Sequence, residues 1–172
     1  MHEGRVLYAD HDHVHVLRYV GDVRHPLAAS VSGFVDSLVS RLADDDLVVD
    51  LSDAEAIDST NLGEIARIAD RLRARGSKRA AIFSPRAEIS EVLYSMAFDE
   101  EFDICTESTL APGGQSIPDV GASQDLSMQV ILSAHRRLMQ MSESNRKQFS
   151  EVVELMEHQL GESVPTNGGR DT

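Results

Sequence analysis

The sequence predicts an α/β fold, a mixed and mostly parallel sheet with helices packed on it, followed by a C-terminal helical extension. Three observations carry this reading. Stretches with the period of a strand alternate with stretches of helical period through Thr106. The connections between them are short, which favours right-handed crossovers and parallel neighbours. After Thr106 the character changes, first to a Gly-, Pro-, Ser- and Asp-rich segment and then to a Met-, Leu-, Glu- and Gln-rich one without Pro or Gly.

Each element has its own signal. From Arg5 to Tyr8 and from Val14 to Val20, apolar and polar residues roughly alternate, as in strands with one covered face. The intervening "ADHDH" reads as a hairpin turn, because Asp favours turns. "GDVRHP" then breaks the pattern, and Leu27, Val31, Phe34, Val35, Leu38 and Leu42 form one stripe of a helix. "ADDD" closes that helix. "LVVDLSDAEAI" follows, with the near-continuous apolar start of a central strand. Leu62, Ile65, Ile68, Ala69 and Leu72 recur at helical spacing, with Glu64, Arg67, Asp70, Arg71 and Arg73 on the other face, and Gly76 is a natural stop. "RAAIF" is a short buried-type strand, "RAEISEVLYSMAF" a helix with Ile89, Leu93 and Met96 inward, and "EFDICT" a last short strand. The predicted order is β-β-α-β-α-β-α-β.

The expected organisation is an α/β domain over 1–106, a linker over 107–123, a helical extension over 124–160 and a disordered tail over 161–172. The extension is one long helix or a helical hairpin, with Glu143, Lys147 and Glu151 making opposite-charge pairs. Ile131, Leu138, Met141, Phe149, Val152 and Met156 form a stripe that must be buried. It could pack on the parent domain, against the same helix of another copy in a self-association, or in a partner's groove. The Met content favours a protein interface. The sheet is expected to close without this segment.

The formal net charge of −13 disfavours nucleic acid and anionic headgroups as direct partners and suits a protein with a basic surface. The single cysteine, Cys105, excludes an intrachain disulfide and suits a reducing compartment. "MHEGRVLYADHDHVHVL" lacks the pattern of a signal peptide, and no apolar run approaches the roughly 20 residues of a membrane span. A cytoplasmic protein without membrane insertion is expected.

"AIDSTNLG" places Asp58, Ser59 and Thr60 where a strand ends and a helix begins. One reading is an N-cap, worth about 1 kcal/mol. The other is a modification site: a serine in the first turn points its hydroxyl outward, and phosphate there would meet orphan N–H groups and the positive end of the helix dipole. The two roles are compatible. "DHDHVH" sets His11, His13 and His15 at alternating positions, which could hold zinc or nickel, but a polar hairpin turn accounts for them and no metal site is assigned. A serine hydrolase is rejected: "DSTNLG" is not a nucleophile elbow, and no histidine lies between His25 and His135.

From Leu17 to Ile104 the chain resembles the STAS domain, the fold of anti-sigma-factor antagonists. "LRYVGDV" looks like that family's opening strand and turn. "VVDLSDAEAIDSTNLGEIARIADRLRARG" resembles its central strand, Asp-Ser phosphorylation loop and following helix, and "AAIFSPRAEISEVLYSMAFDEEFDI" its closing strand-helix-strand. The resemblance implies a non-enzymatic phosphoswitch in transcriptional control by partner switching. A serine kinase, often the anti-sigma factor itself, phosphorylates the residue after the loop aspartate, a phosphatase reverses it, and only the unmodified form binds its partner. Carried over, Asp58 is the loop aspartate, Ser59 the phosphoacceptor and Thr60 the neighbouring hydroxyl. Asn61 stands where the family often has glycine, which puts the loop's backbone geometry in question. The partner face is expected at Asp58, Ser59, Thr60, Asn61 and Gly63 and on the exposed side of the helix at Glu64, Arg67 and Arg71. The kinase would supply ATP and magnesium, so the chain needs no cofactor. The rival readings are a constitutive STAS subunit bracing a larger assembly such as a lipid transporter, and a ligand-sensing module.

Overall fold

The computed structural model describes residues 2–107, 113–119, 121 and 123–162. β1 (Arg5–His11) and β2 (Val14–Val23) form a hairpin joined by Asp12 and His13, both with positive φ. That is the left-handed pair a two-residue hairpin turn needs, and Asp supplies it at low cost. After a short 3-10 turn at His25–Leu27 come α1 (Ala28–Arg41), β3 (Asp46–Ile57), α2 (Ser59–Ala74), β4 (Ala81–Phe83), α3 (Ala87–Ser95) and β5 (Asp103–Cys105). The sheet runs β5-β4-β3-β2-β1-β6, with β2, β3, β4 and β5 parallel and β1 antiparallel to β2. Each crossover steps the same way across the sheet, so right-handed connections put all three helices on one face.

The core lies between that face and the helices. Leu17 and Tyr19 of β2, and Leu47, Val49 and Leu51 of β3, alternate inward onto Val35 and Leu38 of α1 and Ile65 and Ile68 of α2. The expected inward stripe of α2 is buried in full, and Gly76 ends the helix as expected. At φ +67 it lets Gly76 N–H reach Arg73 O and Ser77 N–H reach Leu72 O, the double closure of a Schellman turn.

Several boundaries differ from the sequence reading. β1 runs on past Tyr8 to His11, so Ala9, Asp10 and His11 of the expected turn are paired strand. "GDVRHP" does not stop the second strand at Val20. β2 continues through Gly21, Asp22 and Val23 by shifting register twice against β3. The expected linker contains a further strand, β6 (Gln115–Ser116), antiparallel to β1 at the far edge from β5. Residues 108–112, 120 and 122 of that linker lie outside the described residues. The extension is a hairpin of α4 (Gln124–Met141) and α5 (Glu143–Glu162), broken at Ser142. α5 therefore covers the first residues of the expected tail, and 163–172 lie outside the described residues.

Of the three places open to the apolar stripe, the parent domain is the one occupied. α4 lies along α2 and touches α1, and Leu138 and Phe149 join the main core. The burial is shifted within α5: Val153 is buried while Val152 is 42% exposed. No helix of the described residues is long and apolar enough to cross a membrane.

Candidate functional site

The chain leaves β3 at Ile57, and Asp58 takes extended φ and ψ as the N-cap of α2. Its Oδ1 accepts from the Asn61 backbone N–H and from Asn61 Nδ2, each at 2.9 Å. The cap belongs to Asp58, and Ser59 sits one position later with no capping bond to make. Asn61 is an ordinary helical residue rather than one at positive φ. Its replacement of the family's usual glycine therefore leaves the loop's backbone unstrained, and its side-chain N–H joins the cap instead.

The Ser59 hydroxyl is half-buried and lies 2.9 Å from His135 Nε2 of α4. His135 Nδ1 is 2.8 Å from the Ile131 carbonyl, which can only accept, so Nδ1 carries the proton and Nε2 receives the Ser59 O–H. The ring also meets Phe149 edge-on at 5.4 Å. One turn along α2, Gly63 supports the backbone of α4. A Cβ at Gly63 would lie 2.6 Å from Ala134 C and closer still to the Ala134 carbonyl oxygen. Further on, Arg137 is bound through Nε to Asp70 Oδ2 and through Nη2 to both oxygens of Glu101, all at 2.7 Å. Asn145, at the start of α5, donates to Met96 O and Leu138 O and ties the hairpin's bend to the domain.

The remaining predicted partner residues depart from expectation. Thr60, Asn61 and Glu64 are buried, and the supposed exposed stripe of α2 is not exposed. Glu64 is fully buried and held by Arg67 at 3.1 Å and Arg71 at 3.8 Å. Arg71 turns to α1, reaching Asp36 and Ser32. Only Arg67, about one third exposed, fits the expectation. The cause is α1, whose Ser32 and Asp36 offer Arg71 partners that a periodicity argument confined to α2 does not see. Burial, then Glu64, pushes the nearby Tyr19 hydroxyl well above its ordinary pKa.

A consequence is that Arg71→Glu should not be a silent surface change. It would leave Glu64 beside a second carboxylate and cost about 3 kcal/mol or more. Urea denaturation checks this, and a variant as stable as the parent would show that Glu64 is hydrated.

The histidine cluster resolves differently at each position. His15 Nε2 donates to Asp45 at 2.9 Å while its Nδ1 accepts from Tyr8 at 2.7 Å, and His13 Nδ1 donates to the same carboxylate at 2.8 Å. His11 pairs with Asp12. Among the described residues no three ligating groups converge on one point. The two histidine bonds hold the Asp45 carboxyl below its ordinary pKa. Its contribution to stability is complete above the ordinary carboxylate range and is lost as pH falls through the lowered value. Asp45→Asn should therefore melt lower than the parent at neutral pH and converge with it in strong acid. A gap unchanged across that range would contradict the assignment.

Sequence reasoning missed His135, Arg137 and Asn145. A signal was available: His135 falls four residues after Ile131 and three before Leu138, on the apolar stripe itself. A polar group there needs a partner.

Comparison with known proteins agrees with this architecture. Residues 6–111 match the STAS domain. Among solved structures, a proposed anti-sigma factor antagonist from Thermotoga maritima is 26% identical, with a TM-score of 0.51 over 58% of this chain and 84% of that one. An anti-sigma factor antagonist from Mycobacterium paratuberculosis is 21% identical, with a TM-score of 0.50 over 61% and 87%. The anti-sigma factor antagonist SpoIIAA in its unphosphorylated form, at 13% identity and a TM-score of 0.50 over 60% and 89%, shares the fold. No curated protein matches the sequence. With more than half its length matched, the chain belongs to the STAS domain family.

Proposed function

We propose that this STAS domain is a non-enzymatic anti-sigma-factor antagonist, or antagonist of a similar regulator, that binds its partner when Ser59 is unmodified and releases it when Ser59 is phosphorylated. The observation that carries the reading is the division of labour at the start of α2. Asp58 holds the cap, so the Ser59 hydroxyl takes no part in it and stands in the first helical turn against His135. Phosphate at that point would add about 1.5 to 2 negative charges next to Asp58. In an interface built on the unmodified hydroxyl those charges must be desolvated, and a buried ion left unpaired costs several kcal/mol. Moving a complex from 99:1 to 1:99 takes about 5.5 kcal/mol, so one phosphate is a sufficient switch. The partners are a serine kinase of the anti-sigma-factor type and a phosphatase. Their contact face is centred on Asp58, Ser59 and the exposed edge of Arg67, with the buried Thr60, Asn61, Gly63 and Glu64 and the α1-bound Arg71 forming the support behind it.

The test is binding of the anti-sigma partner to three full-length proteins. Ser59→Ala should bind at least as tightly as wild type, because the Asp58 cap stays and only the His135 contact is lost, and Ser59→Asp should bind more weakly with the fold retained. Equal affinity for all three would sink the switch. The constitutive-subunit reading draws on one observation, the His135 contact that keeps Ser59 half-buried.

A further inference from the structure

The surface assigned above to a protein partner is already occupied. Three independent contacts place α4 on it. His135 holds the Ser59 hydroxyl at 2.9 Å, the Ala134 backbone rests directly on Gly63, and Arg137 bridges Asp70 and Glu101 further along. A kinase must bring its own active site to Ser59 Oγ, and an anti-sigma partner must cover the same turn. Neither can do so while α4 is there.

We propose that the α4–α5 hairpin is an intramolecular competitor for the Ser59–Gly63 face of α2, and that a protein-sized partner takes this face only after the hairpin lifts. The inference rests on the partner face given under the proposed function, and it says which chemistry fits that face. An occupant needs a small residue over Gly63, a hydrogen-bond partner for the Ser59 hydroxyl and a guanidinium-like group between Asp70 and Glu101. α4 supplies all three, and a partner helix of the same kind would fit in its place.

Release of the hairpin exposes an apolar face and frees a small set of polar contacts. The attachment has an apolar part, through Val130 on Ala28 and Ala29 and through Leu138, Met139, Met141 and Phe149 on the main core, and a polar part concentrated in a few side chains: His135, Arg137 and Asn145. Arg137 sits between carboxylates that are only partly covered, Asp70 at 45% and Glu101 at 19% side-chain exposure. Those carboxylates can hydrate when the hairpin leaves, and Arg73 remains beside both of them. Release is driven by competition. When the binding-competent form is a fraction of the whole, apparent partner affinity falls by that fraction, so about 1% open corresponds to about 100-fold weaker binding.

The experiment uses full-length protein carrying Ser59→Cys and Cys105→Ser, which leaves one thiol at the hydroxyl position. The probe is a maleimide bearing a long polyethylene glycol chain, as a stand-in for a protein-sized partner. Adding Arg137→Glu, which sets a third carboxylate against Asp70 and Glu101, should speed labelling by at least about 10-fold. Asn145→Ala gives a second route to the open form should the first variant fold poorly. Loss of the His135 contact on opening would raise the pKa of the introduced thiol and slow labelling, so the expected rise cannot come from thiol activation. Equal rates in the closed and loosened proteins would overturn the inference. The assay contains no kinase and no phosphate, so its failure leaves the phosphoswitch standing, and failure of the phosphoswitch leaves the labelling result intact.

Discussion

Replacing Arg18 by methionine should lower the stability of the fold by about 3–5 kcal/mol, as for other broken buried ion pairs. Arg18 and Asp50 face each other across β2 and β3, on the side of the sheet opposite the three helices. Their side chains are 8% and 1% exposed, and Arg18 Nε donates to Asp50 Oδ2 at 2.7 Å. Without the guanidinium, Asp50 keeps the Ser52 N–H at 2.9 Å and loses its charge partner where water barely reaches. The converse follows from the same accounting. Arg18→Met together with Asp50→Leu should recover most or all of the loss, because no charge is then left behind. Urea denaturation of the single and double variants reads both effects. A single variant within about 1 kcal/mol of the parent would mean that the pair is screened as surface pairs are.

The second large effect is at Gly63, where two forces of opposite sign can be separated. In an isolated helix, Gly→Ala gains about 1 kcal/mol. Here the added Cβ would lie 2.6 Å from Ala134 C and closer still to Ala134 O, both backbone atoms that cannot rotate away. Gly63→Ala should therefore destabilise the full-length protein by about 1–3 kcal/mol through overpacking, despite the helix gain. Hydrogen exchange should show the loss in α4 and α5, with the strands little changed. A variant more stable than the parent would show that α4 does not rest on Gly63 in solution.

How much of this could be read from the chain depends on how local each cause is. The strand and helix order, the inward stripe of α2 and the Gly76 stop follow from spacing and turn chemistry within single segments, and the structure bears them out. The STAS resemblance is likewise confirmed by the family match over residues 6–111. The fate of Arg71 was not legible, because its partners Asp36 and Ser32 lie on α1, more than thirty positions away in the chain. Nor was β6, whose two residues are held in place by backbone pairing to Leu7 and Tyr8 and not by any strand-like composition. The Ser59–His135 contact spans 76 positions. Only the conflict between a histidine and its apolar stripe hinted at it.

Phosphorylation of Ser59 is the central claim, and phosphopeptide mass spectrometry on the protein isolated from its native cell tests it most directly. The expected result is a phosphate on Ser59 whose occupancy changes with growth condition, with Thr60, which is 4% exposed, carrying none. Full coverage of the peptide spanning Asp58 to Glu64, with no phosphate on Ser59 under any condition, would contradict it.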